Sequence, residues 1–258
     1  MHTTQQKFEE TAIIIKQEEI ADDIYSMWLH TEQIAAHAKA GQFVSVYCKE
    51  GSRLLPRPIS ICEIDRKDGA LRLVYRVAGK GTEEFSSMHT GMQLKVIGPL
   101  GNGFPKQEKK AFLIGGGIGI PPMLELAKEL NCEKQIVLGY RDELFLLDEF
   151  RKQGGVYIAT EDGSAGTEGN VLDAIRENGL TADVIYACGP LPMLRALKEY
   201  AAKEGIECWI SMEERMACGI GACLACVCKS TEKDAHSNVK NKRVCKEGPV
   251  FRAEEVDF

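Results

Sequence analysis

The chain has no long hydrophobic run. Its longest apolar stretch in 258 residues, Ala111–Leu124, carries four glycines and two prolines. A membrane-spanning helix needs about 20 apolar residues, so none is expected. The amino terminus, MHTTQQKFEE, has neither a basic nor an apolar leader region. No secretory signal is expected, and the chain reads as cytoplasmic. Basic charge is not in excess, with 32 Lys and Arg against 38 Asp and Glu, a net charge of −6. That balance argues against nucleic acid or an anionic membrane as a partner. Internal repeats and low-complexity segments are absent, and the five histidines show no ligand spacing. With 44% hydrophobic and 27% charged residues, wholesale disorder is excluded.

Cysteine is what the sequence has in plenty. Ten are present, and in a reduced compartment clustered cysteines more often bind metal or do redox chemistry than form disulfides. Cys48, Cys62, Cys132, Cys188, Cys208 and Cys228 are scattered or ambiguous. Cys218, Cys223 and Cys226 are tightly grouped, and Cys245 follows in the same tail.

The length fits two domains and a short appendage. Residues 1–102 predict an antiparallel β-barrel, from short β-rich runs at Thr11–Ile15, Ile24–Leu29, Phe43–Tyr47, Pro58–Cys62, Leu71–Val77 and Gln93–Ile97. Thr82 is expected to cap one helix there, and Gly98–Gly103 reads as a linker or a sharp domain boundary. Residues 103–212 alternate strand, glycine turn and helix, which implies a parallel-sheet α/β domain. Strands are expected at Ala111–Ile114, Gln135–Gly139, Val156–Thr160, Val184–Cys188 and Glu207–Ser211. Helices are expected at Pro121–Leu130, Glu143–Gln153, Val171–Glu177 and Pro192–Glu204. Residues 213–258 form a cysteine- and lysine-rich tail with too few apolar residues for its own core.

The strongest motif is Cys218-Gly-Ile-Gly-Ala-Cys223-Leu-Ala-Cys226, a C-x4-C-x2-C run. Plant-type [2Fe–2S] clusters use this spacing, with a fourth thiolate from a distance. Gly219 and Gly221 let backbone N–H groups approach the sulfurs. The competing chemistry is structural zinc, which usually pairs two short C-x2-C elements; no second one is present. Cys245 is the expected fourth ligand, because it brings a second arm of the chain to the metal. Strand-like alternation keeps Cys228 open as an alternative.

Arg57-Pro58-Ile59-Ser60, then Val74-Tyr75-Arg76, then Gly79-Lys80-Gly81-Thr82 form a second constellation. Arginines on adjoining strands beside a helix start suit a pyrophosphate, and Pro58–Ser60 can meet an isoalloxazine edge with its backbone. Exposed barrel arginines are the plainer alternative. A third signal is the pair of turns Gly115-Gly116-Gly117-Ile118-Gly119 and Cys188-Gly189-Pro190-Leu191-Pro192-Met193. Both leave the carboxyl ends of expected parallel strands, where open α/β sheets bind nucleotides. The carboxylates Asp142, Glu143, Glu161 and Asp162 on neighbouring loops predict NAD rather than NADP. The tail lysines and Arg243 read as a solvated face, and Met212 and Met216 as packing residues.

In this order the RPIS, VYR, GxGT, GGGIGIPP and CGPxPM elements resemble the ferredoxin-reductase superfamily. With the cysteine tail, the whole chain closely resembles the electron-transfer subunits of type B dihydroorotate dehydrogenases. The resemblance implies one FAD and one [2Fe–2S] cluster per subunit, with NAD+ as acceptor. It also implies a separate FMN-containing catalytic subunit, two copies of each chain, and a role in pyrimidine biosynthesis. Carried over by motif, Arg57–Ser60, Val74–Arg76, Gly81 and Thr82 touch FAD, while Cys218, Cys223, Cys226 and Cys245 hold the cluster. Ile59 stands where many members of the superfamily place an aromatic residue. The redox logic agrees: a cluster passes single electrons, nicotinamide takes a hydride, and a flavin does both. The same domain order would serve a hydrogenase, sulfite reductase or ferredoxin–NADP oxidoreductase complex. A non-enzymatic zinc-stabilised interaction module is the alternative from another class.

Overall fold

The computed structural model describes residues 6–233 and 238–258. The reading of the extreme amino terminus, and His2 and His236, therefore lie outside the described residues. Six strands, β1 (Phe8–Ala21), β2 (Ile24–His30), β3 (Phe43–Val46), β4 (Arg57–Asp65), β5 (Ala70–Arg76) and β6 (Gln93–Leu100), close into a barrel in the order β1-β2-β5-β4-β3-β6. Alternation sets the faces. In β1, Ala12 and Ile14 point into the barrel while Ile13 and Ile15 are exposed. Two irregularities in its pairing with β2 let this strand of 14 residues curve around the core. Helix α1 (Glu32–His37), six residues long, closes one end and was not expected from sequence.

The second layer is a seven-stranded sheet built from β7 (Ala111–Gly116), β8 (Lys134–Tyr140), β9 (Gly155–Thr160), β10 (Thr167–Glu168), β11 (Val184–Cys188), β12 (Glu207–Ser211) and, from the tail, β15 (Val250–Arg252). Its order is β10-β9-β8-β7-β11-β12-β15, parallel except for the β12–β15 edge pair. The order reverses between β7 and β11, so their carboxyl-terminal loops flank a crevice. Helices α3 (Pro122–Glu129), α4 (Leu147–Arg151), α5 (Val171–Glu177) and α6 (Leu191–Glu204) complete the α/β domain. In the tail, β13 (Val227–Lys229) and β14 (Asn241–Arg243) form a hairpin.

Three expectations need correction. The barrel helix α2 (Lys80–Ser86) starts two residues before Thr82. The Thr82 hydroxyl oxygen instead reaches back to accept from the Ala78 and Gly79 N–H groups, at 2.9 and 3.3 Å. The helical spacing at Glu143–Gln153 yields only α4, because Leu146 adopts a left-handed φ of 59° and the Tyr140 hydroxyl ties down the Phe145 carbonyl at 2.8 Å. Gly98–Leu100 is not linker but the end of β6. The Cys228 thiol donates to the Lys242 carbonyl across the hairpin at 3.5 Å.

Buried polar contacts fix the barrel against the α/β layer. The Glu125 carboxylate on α3 accepts from the Ile64 N–H at 3.0 Å, and Arg72, 6% exposed, bridges Glu63 at 2.6 Å and Glu149 at 3.3 Å. The tail is fastened at Asn102, whose amide donates to the Glu247 and Val250 carbonyls and accepts from the Val250 N–H at 2.9 Å. Gly101 has φ 71°, and a Cβ there would lie 2.3 Å from the Pro249 ring. This close approach seats the cysteine segment on the barrel.

Candidate functional site

Along 218–226 the chain bends through Gly219 (φ 66°) and Gly221 (φ 85°), conformations that favour glycine. The bends aim backbone N–H groups inward. The Cys223 N–H points at Cys218 Sγ at 3.4 Å, and the two thiol sulfurs lie 3.3 Å apart. The β13–β14 hairpin brings the chain back, so that the Val244 N–H bonds the Cys226 carbonyl at 2.9 Å and the Cys245 N–H faces Cys226 Sγ at 3.5 Å. Arg243 buttresses the loop, donating to the Gly221 carbonyl at 3.1 Å and pairing with Glu247.

Electrostatics separate the thiols. Burial raises the Cys218 pKa, but N–H groups of Cys223, Ile220 and Ala222 outweigh it and bring the thiol down to about 6. Burial first, then the adjacent Cys226, push Cys245 up to about 12. Among the described residues, no three Cys, His, Asp or Glu side chains surround one ion-sized position. The thiols come as two pairs, Cys218 with Cys223 and Cys226 with Cys245. A binuclear cluster takes two thiolates on each iron, so this donor set fits [2Fe–2S].

Beside the loop lies a cavity of about 1020 Å³ between barrel and tail, walled by Phe43, Arg57, Pro58, Ser60, Lys80 and Ser211–Met216. Pro58 and Ser60 face it, whereas Ile59 packs into the barrel core. Phe43, in register with Ser60, supplies the aromatic ring on this wall. A Cβ at Gly81 would meet the Arg57 guanidinium at 2.2–2.6 Å. The missing side chain thus makes a cradle that holds a cation over the first turn of α2, as a pyrophosphate requires. Glu213 is exposed on the wall of this cavity. Val74 and Tyr75 are buried, and Arg76 faces a different cavity from Arg57.

That second cavity, about 870 Å³, sits at the switch point. Gly116, Gly117, Pro190 and Met193 wall it, while Gly115, Gly119, Cys188 and Gly189 lie behind. The glycines are needed for contact between the loops. A Cβ at Gly119 would lie 2.5 Å from the Cys188 carbonyl and the Gly189 nitrogen, and one at Gly189 would lie 3.1 Å from Gly116. Burial pushes the Cys188 thiol up to about 12, leaving it unreactive.

Sequence reasoning missed Phe43 and the Ser211–Met216 wall, and it named Lys80 only within the Gly79–Thr82 helix start. Register with Ser60 would have flagged Phe43; the others become neighbours only through tertiary packing.

A closed flavin-type barrel, a switch-point nucleotide crevice and a four-thiol loop define a flavin- and iron–sulfur-dependent reductase of the ferredoxin-reductase class. A profile for the oxidoreductase FAD-binding domain matches residues 11–104, and one for the iron–sulfur cluster binding domain of dihydroorotate dehydrogenase B matches residues 213–257. The dihydroorotate dehydrogenase B (NAD(+)) electron transfer subunit of Fusobacterium nucleatum is 43% identical over 254 residues, covering 93% of this chain and 95% of that one. That of Geobacillus thermodenitrificans is 44% identical over 257 residues, covering 96% and 98%. The solved NADH-dependent reduced ferredoxin-NADP oxidoreductase superposes with a TM-score of 0.86 at 31% identity, over 100% of this chain and 91% of the other. The cytochrome b5 reductase domain of Ulva prolifera nitrate reductase shares the fold, with a TM-score of 0.63 at 18% identity over 78% of this chain and 94% of that domain. The chain belongs to the family of dihydroorotate dehydrogenase B electron transfer subunits.

Proposed function

We infer that this chain transfers electrons from a dihydroorotate-oxidising catalytic subunit through a [2Fe–2S] cluster and FAD to NAD+, in pyrimidine biosynthesis. The observation that carries the reading is adjacency. Gly219 of the cysteine loop rests on barrel strand β3 and Leu100, beside the cavity walled by Arg57–Ser60. When bound, the flavin supplies the conversion between single electrons and a hydride.

The chain's own residues bind and orient. Cys218, Cys223, Cys226 and Cys245 hold the cluster, and the N–H groups at Cys223 and Cys245 stabilise charge on sulfur. Arg57, Lys80, Gly81 and the start of α2 take the FAD pyrophosphate, with Pro58–Ser60 along the ring and Thr82 bracing the Ala78–Gly79 turn; Val74 and Tyr75 pack in the barrel beneath, and Arg76 opens on the second cavity. Gly115–Gly117, Gly119, Cys188–Pro190 and Met193 form the NAD crevice. The three functional units are residues 1–102, 103–212 and 213–258. The partner is an FMN-containing chain, assembled as two copies of each in the cytoplasm. The greater identity to the dihydroorotate subunits weighs against a reductase subunit of another complex.

The test is anaerobic co-purification with a dihydroorotate-oxidising FMN subunit, followed by dihydroorotate-dependent NAD+ reduction. The pair should reduce NAD+ and the isolated chain should not use dihydroorotate. A pair that reduces NAD+ only from reduced ferredoxin would overturn the assignment.

A further inference from the structure

Ser45 is an unexplained polar group at the junction of the two proposed redox sites. It lies on β3, 2% exposed, and its hydroxyl oxygen has no hydrogen-bond partner among the described residues. Leaving a buried hydroxyl unpaired costs free energy, so a position that keeps one invites a reason. Alternation places Ser45 on the same outer face of β3 as Phe43, whose ring walls the cavity fitted to the flavin, while Val44 and Val46 fill the barrel core. Its register partner on β4 is Pro58, in the flavin-facing strand.

The hydroxyl is directed at the cysteine loop. The ideal Cβ position of Gly219 is 2.7 Å from Ser45 Oγ. Gly219 follows Cys218, and its φ of 66° together with this contact leaves room there for a hydroxyl and not for a side chain. Among the described residues, the Cys223 and Cys245 N–H groups also face loop sulfurs, at 3.4 and 3.5 Å. We propose that the Ser45 hydroxyl is a hydrogen-bond donor to the sulfur of the iron–sulfur cluster on the Cys218 side, and that it sets the cluster's reduction potential on the face turned to the flavin. The inference rests on the cluster assignment above. Reduction adds negative charge that is shared by the sulfurs, so a donor stabilises the reduced form more than the oxidised one and raises the potential.

The experiment uses the full chain loaded with cluster and FAD, in its complex with the catalytic partner. Iron and FAD content come first: a wild-type protein with no cluster signal would overturn the cluster reading and this proposal together. With the cluster present, redox titration of Ser45→Ala should lower the reduced-to-oxidised ratio at a fixed poise about tenfold, or ~59 mV for one electron. The flavin potential should stay in place. Pulsed electron–nuclear resonance of the reduced cluster in H2O and D2O should lose one exchangeable proton coupling in Ser45→Ala and retain it in Ser45→Thr. If Ser45→Ala does not hold a cluster, Ser45→Cys, a weaker donor of nearly the same shape, should give a smaller shift in the same direction. An unchanged potential and unchanged proton couplings in a cluster-bearing variant would show that Ser45 only fills space beneath Gly219.

Discussion

Cys228 and Cys245 are both buried thiols at the same hairpin, and the backbone sends them to different places. Cys228 lies within β13 and donates a hydrogen bond from its thiol to the Lys242 carbonyl, whereas Cys245 follows β14 and meets Cys226. Replacing Cys245 with Ala should abolish the cluster's visible absorption and leave FAD bound; Cys228→Ala should keep a full cluster. Iron analysis and the visible spectrum decide it, and the reverse pattern would sink the assignment. At this scale the sequence was informative where spacing alone carries chemistry, as in C-x4-C-x2-C. It was silent on Ser45 and Phe43, because their neighbours come from register and from packing between segments.

The elements that bind nucleotides depend on close contacts, and two glycines separate cheap substitutions from costly ones. At Gly119 an added Cβ meets backbone of Cys188 and Gly189, which cannot yield without parting the two loops. Gly119→Ala should cost about 1–3 kcal/mol of stability and weaken NADH binding, measured by thermal melting and nucleotide titration. At Gly81 the obstacle is the Arg57 guanidinium, which can swing aside. Gly81→Ala should change stability by no more than about 1 kcal/mol yet release FAD more readily, seen as free-flavin fluorescence. A Gly81→Ala protein that keeps FAD as tightly as wild type would refute the cradle. Next to this, Glu84 on α2 holds the loop ahead of Arg57 by accepting from the Lys49 N–H at 2.6 Å and pairing with Arg53. Burial raises its pKa, but these bonds outweigh burial and hold the carboxyl below its ordinary range. A depressed folded-state pKa means the clamp is fully present above the ordinary carboxylate pKa and is lost as pH falls through the folded value. FAD retention in wild type should therefore exceed that in Glu84→Gln at neutral pH, and the gap should close in acid. A gap that persists unchanged in acid would show that Glu84 acts by shape alone. Long or strongly patterned elements were legible, with Val171–Glu177 and Val184–Cys188 matching to the residue. Six-residue α1 was not, because it is too short to show a period, and α4 was overestimated because Leu146 breaks a pattern that polarity alone leaves intact.

Across the whole molecule, the barrel and the alternating sheet were readable because each is written as a run of local periods. The attachment of the tail through β15 and Asn102 was not, since both contacts join residues far apart in sequence. That same long-range assembly decides the nucleotide. The switch-point cavity is completed by the barrel turn at Asp22 and Asp23, so its walls carry Asp22, Asp23, Asp142, Glu143 and Glu161 against Arg76, Arg141 and Arg176. Sequence showed the loop carboxylates but not the two from the barrel. Arg141 is 81% exposed on its side chain and lies 3.9 Å from Asp142, a solvent-screened pair. The Glu143 carboxylate is held in place by the Asp22 N–H at 2.8 Å. A 2′-phosphate brought onto this wall would meet fixed negative charge, and two like charges about 4 Å apart repel by ~4 kcal/mol at an effective dielectric of 20. Free ribose hydroxyls, by contrast, can donate to the same carboxylates. NADH should therefore exceed NADPH in kcat/KM by about tenfold or more in a steady-state diaphorase assay, and Glu143→Gln and Asp142→Asn together should narrow the ratio. A higher kcat/KM for NADPH in the wild-type chain would overturn the preference, and it would mean that Arg141 and Arg176, not the carboxylates, face the ribose.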